Sequence, residues 1–237
     1  MKDKQIIDQL KYAYRDETSE NKIRFIRSIK KPNVSLFSFI SNQFKLINRK
    51  AYIYCFGYFA ILLGLLLTSN NTNQYLILSA GIPFFSLIIV AIINASNAYR
   101  MQEMEMATLF SLKMVIIARM LIMSILTILL ICIMVLCTFR ISNISIIRIF
   151  CYFFIPYFLN MYVNLKLLRK YRKEGLKYCF VVSTIICLLV LFLADNPNMI
   201  SLINGNIFVG MLITLIGLSI KESSNYVLGL EDYVWIL

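Results

Sequence analysis

The chain has 237 residues, 59% of them hydrophobic, with a mean hydropathy of +0.74; 24 Lys and Arg against 12 Asp and Glu give it a net charge of +12. A soluble domain is nearer about 45–50% apolar, so this composition excludes an ordinary water-soluble fold. The sequence contains no histidine, which removes histidine-based acid–base catalysis and most histidine metal sites.

The first 34 residues read as a cytoplasmic helical segment. In QIIDQLKYAYR, Ile6, Ile7, Leu10 and Tyr14 fall on one side; in ENKIRFIRSIKK, Ile23, Ile26 and Ile29 form a stripe that ends at Pro32. This stretch is charged and lacks the apolar core of a signal peptide. Residues 35–50 then predict an amphipathic helix. Ser35 stands where an N-cap is wanted, Leu36, Ile40, Phe44 and Ile47 recur at spacings of four and three, and Lys45, Arg49 and Lys50 close the run. Such a helix lies along the inner leaflet, and anionic lipids are the partners its cations would meet. The positive charge is juxtamembrane almost throughout, so nucleic acid is not an expected partner.

Six apolar runs follow, at 51–68, 75–95, 114–137, 144–164, 178–194 and 199–220, each near the length needed to cross about 30 Å of hydrocarbon as helix. They are continuous, without the alternation of a membrane β-strand. The expected fold is therefore an all-α integral membrane protein with six transmembrane helices and an N-terminal interfacial helix. All but two of the 24 Lys and Arg fall on one face of this layout, Arg140 and Arg148 being the exceptions. The positive-inside rule then puts both termini, the 96–113 connection and the 221–237 tail in the cytoplasm of a cell-membrane protein. The outer connections, TSNNTNQ, FRISN and DNPN, are short.

Six cysteines, at 55, 132, 137, 151, 179 and 187, lie mostly inside apolar runs and make no CxxC pair, so they read as small buried residues. Gly81 and Pro83 interrupt the second span, Pro156 the fourth, and Asn204, Gly205 and Asn206 the sixth. These are expected to be kinks packed against neighbours, the alternative being a cavity lining. Arg148, Asn160 and Asn164 are placed on one face of the fourth span as candidate substrate-pathway residues. Snorkelling of Arg148 to the outer boundary is the plainer account of that cation.

The connection after the second span holds the acid pair Glu103 and Glu105, with Met101, Met104, Met106, Leu109 and Phe110 supplying apolar surface. Two residues apart on a helix, the acids face different ways, which argues against a paired-carboxylate active site. Glu103-Met104-Glu105-Met106-Ala107-Thr108-Leu109, followed by Ser111-Leu112-Lys113 and Ala118-Arg119, resembles the cytoplasmic coupling segment of the type-2 family of ABC exporter permeases. Ala107 replaces that family's glycine, Phe110 stands where an acid is common, and the stretch from Thr108 to Arg119 is several residues shorter. The layout of interfacial helix, six spans and short outer loops agrees with the resemblance.

The resemblance implies a permease that exports a hydrophobic or amphipathic compound such as a peptide, an antibiotic or a lipid-like molecule. The partners it implies are a cytoplasmic ATP-binding subunit and a second permease copy or paralogue. Glu103, Glu105, Thr108, Leu109 and Phe110 would be the coupling residues. ATP and Mg would belong to the partner: this chain has no GxxxxGK[ST] loop, no cofactor, metal or catalytic site is expected in it, and it is not expected to be an enzyme. The alternative is a membrane-bound regulator, an anti-sigma or sensor component, that holds a cytoplasmic factor on the basic N-terminal segment.

Overall fold

The computed structural model describes residues 36–68, 74–98, 112–142, 145–171, 174–195 and 205–231. Their elements are all helices: α1 Leu36–Leu46, α2 Arg49–Thr68, α3 Gln74–Gly81, α4 Pro83–Ala98, α5 Leu112–Ile141, α6 Ile146–Lys170, α7 Gly175–Asp195 and α8 Gly205–Glu231. Six stretches are long and apolar enough to cross a membrane, α3 and α4 together making the second. The protein is thus an all-α, multi-pass membrane protein, as composition led one to expect. The chain divides into two units, Met1–Phe39 and Ile40–Leu237, and the six spans belong to the second. The patterns read at 1–34, the coupling residues at 103–110 and the tail beyond Glu231 lie outside the described residues.

Of the amphipathic stretch expected at 35–50, Leu36–Leu46 forms α1; Asn48 separates it from α2, which takes in Arg49 and Lys50. The Lys50 backbone N–H donates to Asn48 Oδ1 at 3.1 Å, satisfying one of the orphan donors at the start of α2. Tyr52 donates its hydroxyl to the Phe44 carbonyl at 3.1 Å, and the two rings lie 5.1 Å apart, so the end of α1 is held against the first span. Ile47 is buried, whereas Ile40 and Phe44 remain 39% and 52% exposed among the described residues.

Helix α6 is the centre of the second unit. It packs against α3, α4, α5, α7 and α8, and it buries Ile149, Phe153, Tyr157 and Leu165 almost completely. The outer helices bury only a stripe: 22% of the α2 span is buried and 17% of the α7 span, leaving side chains such as Leu67, Leu188 and Leu189 exposed. Apolar surface on that scale suits hydrocarbon rather than water. Several hydroxyls along the spans are satisfied within their own helices. Thr138 Oγ1 donates to the Met134 carbonyl at 2.7 Å, Ser219 Oγ to Ile216 at 2.9 Å and Ser79 Oγ to Leu76 at 2.6 Å.

The sixth span departs from the sequence reading. Its described part begins at Gly205 and runs to Glu231, so Gly205 and Asn206 stand in the first turn of α8, and Asn204 lies outside the described residues. The helix also does not stop at the first charges, because Glu222 is met by Arg169 and the following Tyr226 and Val227 are buried. Pro156 is buried inside a continuous α6. None of the six cysteines is in a disulfide, and Cys55, Cys151 and Cys179 are buried.

Candidate functional site in the middle of the spans

The break in the second span follows from chemistry at three residues. Pro83 has no N–H, so the Ser79 carbonyl takes the Ile82 N–H instead, at 3.2 Å, in a tighter turn. Pro83 then opens α4 with its φ already suited to a first helical residue. Two carbonyls near the break are taken by other helices. Tyr58 of α2 donates its hydroxyl to the Gly81 carbonyl at 2.7 Å, and Asn160 of α6 donates its amide to the Pro83 carbonyl at 2.7 Å. Glycine at 81 leaves room for this approach: a Cβ would stand 2.8 Å from Leu62 Cδ2 and 3.0 Å from the Tyr58 hydroxyl, and those side chains would have to shift. The break is therefore a packed kink, its polar groups supplied by neighbouring protein.

Asn160 is wholly buried and ties three helices together. Its Nδ2 lies 2.7 Å from Ser86 Oγ of α4 and 2.9 Å from Ser183 Oγ of α7, besides the Pro83 carbonyl. A carbonyl has no proton to give, so the Pro83 contact fixes which end of the amide points there. The Ser183 hydroxyl donates to Asn160 Oδ1 at 3.0 Å, while Ser86 donates to the Pro83 carbonyl at 2.9 Å. Asn164, one turn along α6, approaches the same two hydroxyls at 3.3 and 3.4 Å. Its Oδ1 is buried and has no hydrogen-bond partner among the described residues. That oxygen is an acceptor still open inside an otherwise closed network.

A second link lies alongside. Thr127 of α5 and Tyr157 of α6 share a hydrogen bond of 2.9 Å; because Thr127 gives its own proton to the Ser124 carbonyl at 3.0 Å, Tyr157 is the donor. Tyr58, Pro83, Ser86, Thr127, Tyr157, Asn160 and Ser183 all fall near the midpoints of their spans. Five of the six spans thus contribute to one polar layer, and α8 alone does not.

The structure brings Asn160 and Asn164 together and leaves Arg148 apart from them, exposed in the first turn of α6. Twelve residues make about three turns and a third, so Arg148 and Asn160 are not on one face. Sequence reasoning missed Ser86, Ser183, Tyr58 and the Pro83 carbonyl. The available signal was their shared mid-span position beside the one proline that splits a span.

Toward one end of the spans, Arg169 Nη2 of α6 lies 3.2 Å from Glu222 Oε1 of α8, with the carboxylate buried and the guanidinium 43% exposed. Next to this pair a cleft of about 400 Å³ opens between α5, α6 and α8. Among the described residues no group of His, Cys, Asp and Glu is arranged to hold a metal ion. The fold and these contacts define a helical membrane protein with a polar layer across its middle. Compared with family models, curated proteins and solved structures, the chain matches none.

Proposed function

We propose that this chain is the membrane subunit of an ATP-driven exporter, moving a hydrophobic or amphipathic compound with energy from a separate cytoplasmic subunit that binds ATP and Mg. One observation carries the reading: in the sequence, residues 99–111, with Glu103, Glu105 and Phe110, lie between α4 and α5. Both helices supply groups to the mid-span layer, Pro83 and Ser86 from α4 and Thr127 from α5. A partner pressing on that connection would displace α4 and α5 together and shift the layer that holds α6 and α7 to them.

In this reading both termini are cytoplasmic, a second copy or paralogue completes the transport path, and Leu109 and Phe110 seat in the ATPase while the two glutamates meet cations at its rim. Asn164 Oδ1, buried and without a donor among the described residues, is the acceptor that a passing hydroxyl or amide would use. The rival, a regulator that holds a cytoplasmic factor, draws on the twelve Lys and Arg ahead of the first span.

Pull-down of the tagged chain from its native membrane separates the two. The exporter reading expects an ATPase to co-purify with the wild type and to be lost from a Glu103→Lys, Glu105→Lys, Phe110→Ala variant that still enters the membrane. An ATPase retained by that variant, or a non-ATPase factor recovered in its place, overturns the docking role.

A further inference from the structure

We propose that the cleft between α5, α6 and α8 binds an anionic phospholipid, with an acyl chain inside it and the headgroup at Lys221. This site stands independently of the export reading. The cleft floor is apolar and adaptable, formed by the buried Met120 of α5 and Met161 of α6. Its lip consists of Leu121 and Leu228, 50% and 54% exposed, so the opening faces whatever surrounds the spans, which is lipid. A volume near 400 Å³ is in the range of small-ligand pockets, and the lining mixes apolar walls with a few hydroxyls.

The position of the cleft along the spans selects an amphiphile over plain hydrocarbon. On α8 it is lined by Ser224 and Leu228, and Lys221 precedes them by three and seven residues, on the same helical face. Lys221 is exposed, and no carboxylate pairs with it among the described residues. The adjacent acid, Glu222, is turned to the other side and held by Arg169. One positive charge is therefore left about one helical turn along α8 from Ser224, which lines the cleft. Ser223 gives its proton to the Ser219 carbonyl at 2.8 Å, so only its lone pairs face the cleft. A phosphate oxygen suits Lys221 and Ser224, and the chain beneath it suits Met120 and Met161.

Spin-labelled phosphatidylglycerol and phosphatidylcholine, compared by electron paramagnetic resonance on the full chain in phosphatidylcholine vesicles, test this. The wild type is expected to retain phosphatidylglycerol about fivefold more strongly than phosphatidylcholine, the preference one surface cation supplies. Lys221→Gln should remove the part of that preference that Lys221 supplies. Ser224→Trp and Leu228→Trp, both at exposed positions that tolerate bulk, should lower the immobilised fraction of phosphatidylglycerol by filling the cleft. Equal retention of the two lipids by the wild type, an unchanged preference in Lys221→Gln, or an unchanged immobilised fraction in both tryptophan variants would each overturn the proposal.

Discussion

Asn160 has two amide hydrogens and three oxygens within 2.9 Å of its nitrogen, one each from the Pro83 backbone, Ser86 and Ser183. Hydrogen bonds between membrane helices average only about 0.6 kcal/mol, because the separated helices find other partners in the bilayer. Three such links and the small void left by truncation set the loss for Asn160→Ala at roughly 2–3 kcal/mol. Thermal unfolding of the purified protein in detergent should register this as a clear drop in midpoint. Ser183→Ala is expected to cost less, about 1 kcal/mol, since Asn160 keeps Pro83 and Ser86 and only its Oδ1 loses a donor. Equal effects from the two substitutions would mean that the carboxamide is not the hub. The asparagines were legible as candidates because Asn is costly inside an apolar run. The serines were not, because most hydroxyls in such runs, like those of Thr138 and Ser219, bond within their own helix and join nothing.

The helices themselves were mostly legible, since block length and hydropathy dictate how many spans there can be. Their ends were not. The sixth was expected to stop at Ile220, yet α8 continues eleven residues further because tertiary contacts carry it. Glu222 meets Arg169, Ser219 and Glu222 are both buried, and Tyr226 and Val227 join the core of α5, α6 and α8 packing. No one-dimensional pattern contains that pairing, because 53 residues separate Arg169 from Glu222. Arg169→Ala strands a buried carboxylate and should destabilise the protein by about 1–2 kcal/mol, less than a fully buried pair would lose because the guanidinium is 43% exposed. Glu222→Gln removes the charge that needs a partner, so adding it to Arg169→Ala should restore part of the loss. If the double variant is no more stable than Arg169→Ala alone, the ion pair is not what keeps the end of α8 in place. Limited proteolysis across 221–231 gives the same comparison locally.

At the scale of the whole molecule, orientation is the property on which both the coupling role and the lipid site turn. The sequence reading puts all but two of the 24 Lys and Arg on one side of the six spans, and moving so many charges across a membrane is opposed. The face that carries Lys166, Arg169, Lys170, Lys177 and Lys221 is also the face of the cleft and of the connection entering α5. Cysteine placed at Asn71, in the connection between α2 and α3, should therefore react with a membrane-impermeant thiol reagent on intact cells. Cysteine at Gln102, between α4 and α5, should react only after the membrane is opened. The native thiols leave a low background, since Cys55, Cys151 and Cys179 are buried and the others lie within spans. The reverse pattern would put Glu103 and Glu105 outside the cell, where no ATP-hydrolysing partner could reach them. It would also move Lys221 to the outer leaflet, which carries less anionic lipid, so the transport reading would fall while the cleft would still bind an amphiphile of the other leaflet.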